Sequence, residues 1–297
     1  MDGTLNRRGF LTRTIGLAAI SSAAFADIKR EPGSRIRLSL NAYSFDKPLR
    51  DGSMTLEDAV HYCAQNAVDA LDATAYYFPG YPKVPNDEYI YSLKKTALLN
   101  GVAISGTGVR NDFAVADAAS RKQDVQMVKN WIEAASKLGA PVIRVFSGKK
   151  LPDGHSFNQA LDWMIPDFAE CAAYGKRHGV IVGLQQHNDF LKTAEETIRV
   201  IKAVDSEWFA GILDVGSLRQ GDPYNEIEKL APYAVSWQLK ENVGYGGKEV
   251  PTDLGRIKAI VTKAGYRGFL PVEALGEGDP RVKVARFLER VRKEFES

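Results

Sequence analysis

The chain has 297 residues, enough for one large α/β domain or two smaller ones. Hydrophobic residues at 44% and charged residues at 26% are the proportions of a folded soluble protein. A formal net charge of +2 gives no basic excess to argue for nucleic acid or for an anionic membrane surface.

The first 26 residues stand apart. Arg7-Arg8 precedes an apolar stretch from Ile15 to Ala26 that ends in small residues, and Ala24-Phe25-Ala26 fits an A-x-A cleavage site. The stretch is too short to remain as a membrane anchor. It resembles a twin-arginine export signal, which implies a periplasmic protein with no stable membrane anchor after processing. An ordinary amphipathic leader is the alternative. Removing residues 1–26 takes away Arg7, Arg8, Arg13 and Asp2 and leaves basic and acidic residues in balance, so a small neutral or weakly acidic ligand is expected.

A polar linker occupies 27–35. From residue 36, short β-type runs alternate with amphipathic helical stretches to the end. The pattern predicts strands near 36–43, 68–73, 102–107, 141–146, 180–185, 209–214, 234–239 and 269–273. Helices are predicted at Thr55–Asn66, Asp87–Asn100, Arg121–Leu138, Phe157–His178, Ala194–Val204 and Leu254–Ala264, with a brief one within 223–233. Gly101, Gly139, Gly179 and Gly265 follow four of these helices where a left-handed end is needed. Eight strands with interleaved helices match the size of a single (β/α)8 TIM barrel over 36–297. A doubly wound open sheet is disfavoured, because no Gly-rich phosphate loop follows the first strand. Two irregular stretches, 76–86 and 242–253, fall at the rim as loops. Cys63 and Cys171 lie in helical stretches among apolar neighbours, too few for a disulfide framework and expected as buried free thiols.

Several strands end in polar groups: Gln185-Gln186-His187, Asp214, Gln238-Leu239-Lys240-Glu241 and Glu273. Apolar runs that each end this way place their polar groups at one rim of a barrel, where chemistry gathers. Arg144 ends the fourth strand inside an apolar run and needs a partner, either a substrate oxygen or a rim carboxylate such as Asp72 or Asp214. His187 lies two residues beyond Gln185, on the same side of an extended strand. Asn41, Tyr43, Phe45, Tyr76, Tyr77 and Phe113 fall at predicted rim positions, where aromatic faces suit a sugar ring and Asn supplies hydrogen bonds.

With these landmarks, and with Gly265-Tyr-Arg-Gly-Phe-Leu-Pro-Val-Glu273 leading into the last strand, residues 36–295 resemble the xylose isomerase-like TIM barrels of the sugar isomerase/epimerase and endonuclease IV superfamily. The resemblance implies a Glu, an Asp, a His and a Glu around one divalent cation, at positions held here by Gln185, Asp214, Gln238 and Glu273. Two of the four depart from the pattern. A set of two carboxylates and two amides implies a weakened site for Mn, Mg, Ca or Zn, with the hard ions favoured. The alternative is a degenerate site whose amides bond to each other and to a sugar.

Gln185 takes no proton near neutral pH, which argues against a symmetrical two-base epimerisation. Glu273 is then the expected base, with Lys240 and His187 as proton donors or polarising groups and Asn41, Tyr43, Tyr77, Phe113 and Arg144 as substrate contacts. The resemblance thus implies an exported isomerase acting by proton transfer beside the carbonyl of a free sugar or glycoside. A lyase or hydratase on 3-keto-glycosides and a non-catalytic carbohydrate-binding barrel are the alternatives. The partner is a small carbohydrate, not nucleic acid, and a homo-oligomer is compatible with this composition.

Overall fold

The computed structural model describes residues 28–187 and 189–295. Residues 1–26, where the export signal was read, lie outside the described residues. Eight parallel strands close on themselves: β1 (Arg35–Asn41), β2 (Ala70–Asp72), β3 (Ala103–Gly108), β4 (Val142–Phe146), β5 (Ile181–Gln185), β6 (Phe209–Asp214) and β7 (Ala234–Lys240), with β10 (Arg267–Glu273) completing the ring. A hairpin of β8 (Asn242–Tyr245) and β9 (Lys248–Pro251) stands between β7 and β10, outside the barrel. The closure runs through β1 and β10, paired from Arg35 opposite Arg267 to Leu40 opposite Val272. The expected single (β/α)8 barrel is therefore the observed fold.

The helices are α1 (Asp46–Asp51), α2 (Leu56–Gln65), α3 (Asp87–Leu99), α4 (Ala118–Leu138), α5 (Phe157–His178), α6 (Ala194–Val204), α7 (Pro223–Leu230), α8 (Leu254–Lys263) and α9 (Pro280–Phe295). Each of the long ones turns one stripe to the sheet. In α4 the buried residues are Val125, Val128, Trp131, Ile132, Ala134, Ala135 and Leu138, recurring at the three-to-four spacing of a helix face. Full burial of each large apolar side chain there contributes about 1.5–3 kcal/mol against conformational entropy. Helix starts are written locally. Thr55 with Asp58, Ser156 with Gln159, and Thr193 with Glu196 form reciprocal capping boxes on α2, α5 and α6. At the end of α4, Gly139 has φ +88°, a conformation that a side chain would strain.

The short helix α1 and two larger elements escaped the sequence reading. The stretch 242–253, expected as an open loop, holds the β8–β9 hairpin, turned by Gly246 and Gly247 at φ +58° and +78°. A ninth helix, α9, buries Val284, Phe287, Leu288 and Val291. The linker before β1 runs along the base of the barrel, where the Ile28 N–H donates to Pro232 O at 3.0 Å. Cys63 and Cys171 are buried and unpaired, as expected.

Candidate active site

Because the strands are parallel, all eight C-terminal ends open on one rim, and the register decides which end groups meet. Asn41 lies opposite Asp72, Asp214 opposite Gln238, and Glu273 opposite Lys240. Gln238 and Lys240 are two residues apart on β7, so both project to the same side. The result is a continuous chain of polar contacts across the barrel mouth.

Lys240 is its centre. Its ammonium lies 3.0 Å from Asp214 Oδ2 and 3.4 Å from Glu273 Oε1. Asp214 is fully buried, and its oxygens also accept from Gln185 Nε2 at 2.8 Å, Ser217 Oγ at 2.9 Å and the Gly216 N–H at 3.0 Å. Glu273 Oε2 accepts from Asn41 Nδ2 at 3.0 Å. The same Asn41 amide donates to Gln238 Oε1, while Gln238 Nε2 donates to Asp72 Oδ2 at 3.0 Å. On the other flank Arg144 donates to Gln185 Oε1 at 3.3 Å and to the Tyr76 hydroxyl at 2.7 Å.

Burial and charge divide the carboxyl groups. Burial pushes the Glu273 carboxyl above its ordinary range, and the Lys240 charge offsets only part of that effect. Burial acts on Asp214 in the same direction, but the Lys240 ammonium and the Ser217 hydroxyl overcome it and hold this group below the usual carboxylate value. Asp72 is raised by burial, against the weaker opposing pull of the Arg144 charge and the Gln238 amide. For Lys240, burial works against the charge, yet the two carboxylates beside it win and keep it an ammonium.

Above this network lies a cavity of about 430 Å³, a volume that accommodates a small polyhydroxy molecule. Glu273, Lys240, Gln185 and Asn41 form part of its polar lining, with Tyr43, Tyr76, Phe146 and Leu275 as apolar surface. Arg110, Arg144 and Lys149, from the ends of β3 and β4, also line it. Among the described residues none of these three has a carboxylate within the 4.0 Å of an ion pair.

The sequence matches the family described as a xylose isomerase-like TIM barrel over residues 60–293. The chain belongs to this family. No curated protein matches it. Among solved structures it is similar to a D-psicose 3-epimerase from Clostridium cellulolyticum H10, with TM-score 0.73, 16% identity, and coverage of 88% of this chain and 100% of that one. It is also similar to a 3-keto-D-glucoside 4-epimerase from E. coli (TM-score 0.69, 13% identity, 88% and 99% covered). A third is a probable 3-DHS dehydratase from Bacillus anthracis (TM-score 0.66, 16% identity, 85% and 97% covered). At these identities the structural likeness shows the fold.

Within this xylose isomerase-like barrel, the four positions expected to ligate a cation do come together, but they do not fit a divalent ion as they stand. Gln185 turns its NH2 group towards Asp214, and the oxygen of Gln238 is taken by Asn41. Lys240 Nζ already bridges the two carboxylates. A divalent ion about 4 Å from that ammonium would meet a repulsion on the order of 8 kcal/mol at an effective dielectric of about 20. Among the described residues no three His, Cys, Asp or Glu side chains converge as metal ligands. At the positions expected to hold Mn, Mg, Ca or Zn, two carboxylates share an ammonium, and the amides are spent on neighbours.

Asn41, Tyr43, Arg144, Lys240, His187 and Glu273 all line the cavity. His187 stands at its mouth, its side chain 44% exposed, with Nδ1 3.0 Å from Asp189 Oδ2 and its ring edge-on to Phe146. Two expected substrate contacts are elsewhere. Phe113 is fully buried against Phe168, with ring centroids 5.1 Å apart, so its ring belongs to the core. Tyr77 turns away from the cavity and donates its hydroxyl to Asp46 at 2.6 Å. Its neighbour Tyr76 faces the cavity instead, because successive residues of the one-turn 3-10 helix Ala75–Tyr77 point in different directions. Phe45, another rim aromatic in the sequence, is buried against Tyr62.

Arg144 pairs with neither Asp72 nor Asp214. It is held by a phenol and an amide oxygen, and Gly108 opposite makes the room: a Cβ there would lie 2.4 Å from Arg144 Nε. Asn111 staples the Phe146 backbone through both its amide atoms. Arg110 and Lys149 were missed by the sequence reading. Their only signal was position, just beyond the ends of β3 and β4.

Proposed function

We propose that this protein is an exported, carbohydrate-active enzyme of the sugar isomerase/epimerase type, which moves a proton at a carbon beside a carbonyl. The observation that carries this reading is Glu273. It is a buried carboxylate that lines the cavity, held by Asn41 and adjoining an ammonium. A carboxylate so placed accepts the proton of a carbonyl-adjacent C–H bond, and the bonding electrons pass to the carbonyl oxygen as an enediolate. Lys240 supplies a fixed positive charge and hydrogen bond for that oxygen. Returning the proton from Glu273 to the former carbonyl carbon, while the hydroxyl proton of the adjoining carbon passes to the former carbonyl oxygen, completes an isomerisation, with one base serving both carbon steps.

Two facts about the rim bear on the substrate. Tyr43 and Tyr76 give aromatic faces, and Arg110, Arg144 and Lys149 form a cationic wall with no carboxylate within 4.0 Å among the described residues. That wall suits carbonyl, keto or acidic oxygens better than plain hydroxyls. Oxidised sugars such as keto-glycosides therefore rank above unmodified hexoses. One structural neighbour, the 3-keto-D-glucoside 4-epimerase, acts on a sugar of this kind. Elimination of a β-substituent from the same enediolate is the second reading, with Lys240 or His187 protonating the leaving group; the dehydratase neighbour favours it. The twin-arginine leader read in residues 1–26 puts the folded enzyme in the periplasm.

The test is solvent exchange. Ketoses and 3-keto-glycosides incubated with the protein in D2O should lose the proton beside the carbonyl, followed by NMR. Glu273→Gln should slow this by at least ~10²-fold, the usual scale for losing a positioned general base. Binding followed by thermal shift should persist in that variant. Stabilisation by sugars with no exchange in the wild type would leave only a carbohydrate-binding barrel.

A further inference from the structure

We infer that Lys240 stands where a divalent cation would sit, so that this barrel works with a built-in ammonium and binds no metal. Four independent features converge on it. The ammonium bridges Asp214 and Glu273 at 3.0 and 3.4 Å, the two carboxylates that end the strands on either side of β7. The amide of Gln185 presents its NH2, not its oxygen, to Asp214. Gly216 clears the path of the lysine stem: a Cβ there would lie 2.6 Å from Lys240 Cδ. Finally, Gln238 is consumed between Asn41 and Asp72.

The charge arithmetic agrees. Two carboxylates and one ammonium leave one net negative charge, the same as three carboxylates around a divalent ion. Replacing a carboxylate with Gln185 and a metal with Lys240 thus preserves the net charge of the cluster. The chemistry differs in one respect. An ammonium donates directional hydrogen bonds and carries a single charge, while a metal ion offers open coordination positions. Lys240 therefore holds an enediolate oxygen by hydrogen bonding and requires no exchangeable ion.

The catalytic half of this inference rests on the function proposed above; the metal half does not, and it is read without turnover. The full-length mature protein, purified without tag or chelator, is assayed for bound metal and titrated with Mn²⁺ by calorimetry and thermal shift. The wild type should carry no stoichiometric metal and show no Mn²⁺-dependent stabilisation. The Gln185→Glu/Lys240→Ala/Gln238→His variant should gain one Mn²⁺ per chain, and adding Asp214→Asn should abolish that gain. One equivalent of metal in the wild type, lost in Asp214→Asn, overturns the inference. So does a folded triple variant that takes up no Mn²⁺, because Lys240 would then not occupy a cation's position. Circular dichroism establishes that the variant folds; if it does not, the wild-type titration alone decides. A metal-free protein without exchange activity would sink only the proposed function. Exchange activity that depends on Mn²⁺ would sink only this inference.

Discussion

Replacing Lys240 with Met keeps the length of the side chain and removes its charge. Asp214, fully buried, would lose the ammonium at 3.0 Å but keep the Gln185 amide, the Ser217 hydroxyl and the Gly216 N–H. Removing one partner of a buried ion pair costs about 3–5 kcal/mol. Three surviving donors place Lys240→Met at the lower end, about 3 kcal/mol. Asp214→Asn should cost less, because Lys240 retains Glu273 at 3.4 Å. In the Lys240→Met/Asp214→Asn double variant no buried charge is orphaned at Asp214, so the penalties should not add. A coupling of about 1–3 kcal/mol is expected from urea unfolding of all four proteins at neutral pH. A coupling below ~0.5 kcal/mol would mean that the two groups do not face each other, and the reading of the barrel mouth would fail with it.

Asp72→Asn should stabilise the protein at neutral pH. Burial raises the Asp72 carboxyl above its unfolded value, with the Arg144 charge and the Gln238 amide only partly offsetting it, so keeping it ionised in the fold costs stability. With the folded value above the unfolded one, that cost grows as pH rises from about 3.9 to the folded value and is constant above it. The advantage of Asp72→Asn should therefore shrink as pH falls towards about 4, in urea unfolding across that range; a variant less stable at every pH refutes the assignment. Gly108→Ala should destabilise by about 1–3 kcal/mol, since the new methyl would displace the Arg144 guanidinium and break its bond to Tyr76. A crystal structure of the variant with Arg144 still on Tyr76 would refute that.

Much of the architecture was legible because its signals are local. An amphipathic stripe such as that of α4, a capping box such as Ser156 with Gln159, and a glycine just past a helix all act within one or two turns. The hairpin at 242–251 has a local signal too, two glycines between β-type runs, but the same glycines also suit an open loop. The missed helix α9 carries an apolar three-to-four spacing under a high density of charge. The rim aromatics were harder. Tyr76 and Tyr77 are chemically alike neighbours, and only the direction of one 3-10 turn sends the first into the cavity and the second to Asp46.

What the sequence by itself determined is the barrel and the roster of polar groups at its rim, because alternating periods and strand-end residues are properties of short segments. Which of those groups touch was decided only by closure. Lys240 meets Glu273 because β7 and β10 become neighbours with those residues opposite each other, and it reaches Asp214 past the space that Gly216 leaves. The same four positions read in one dimension describe a metal site. In three dimensions a fifth side chain, two residues further along β7, fills it with charge, and a contact between distant segments has no trace in the local pattern of either.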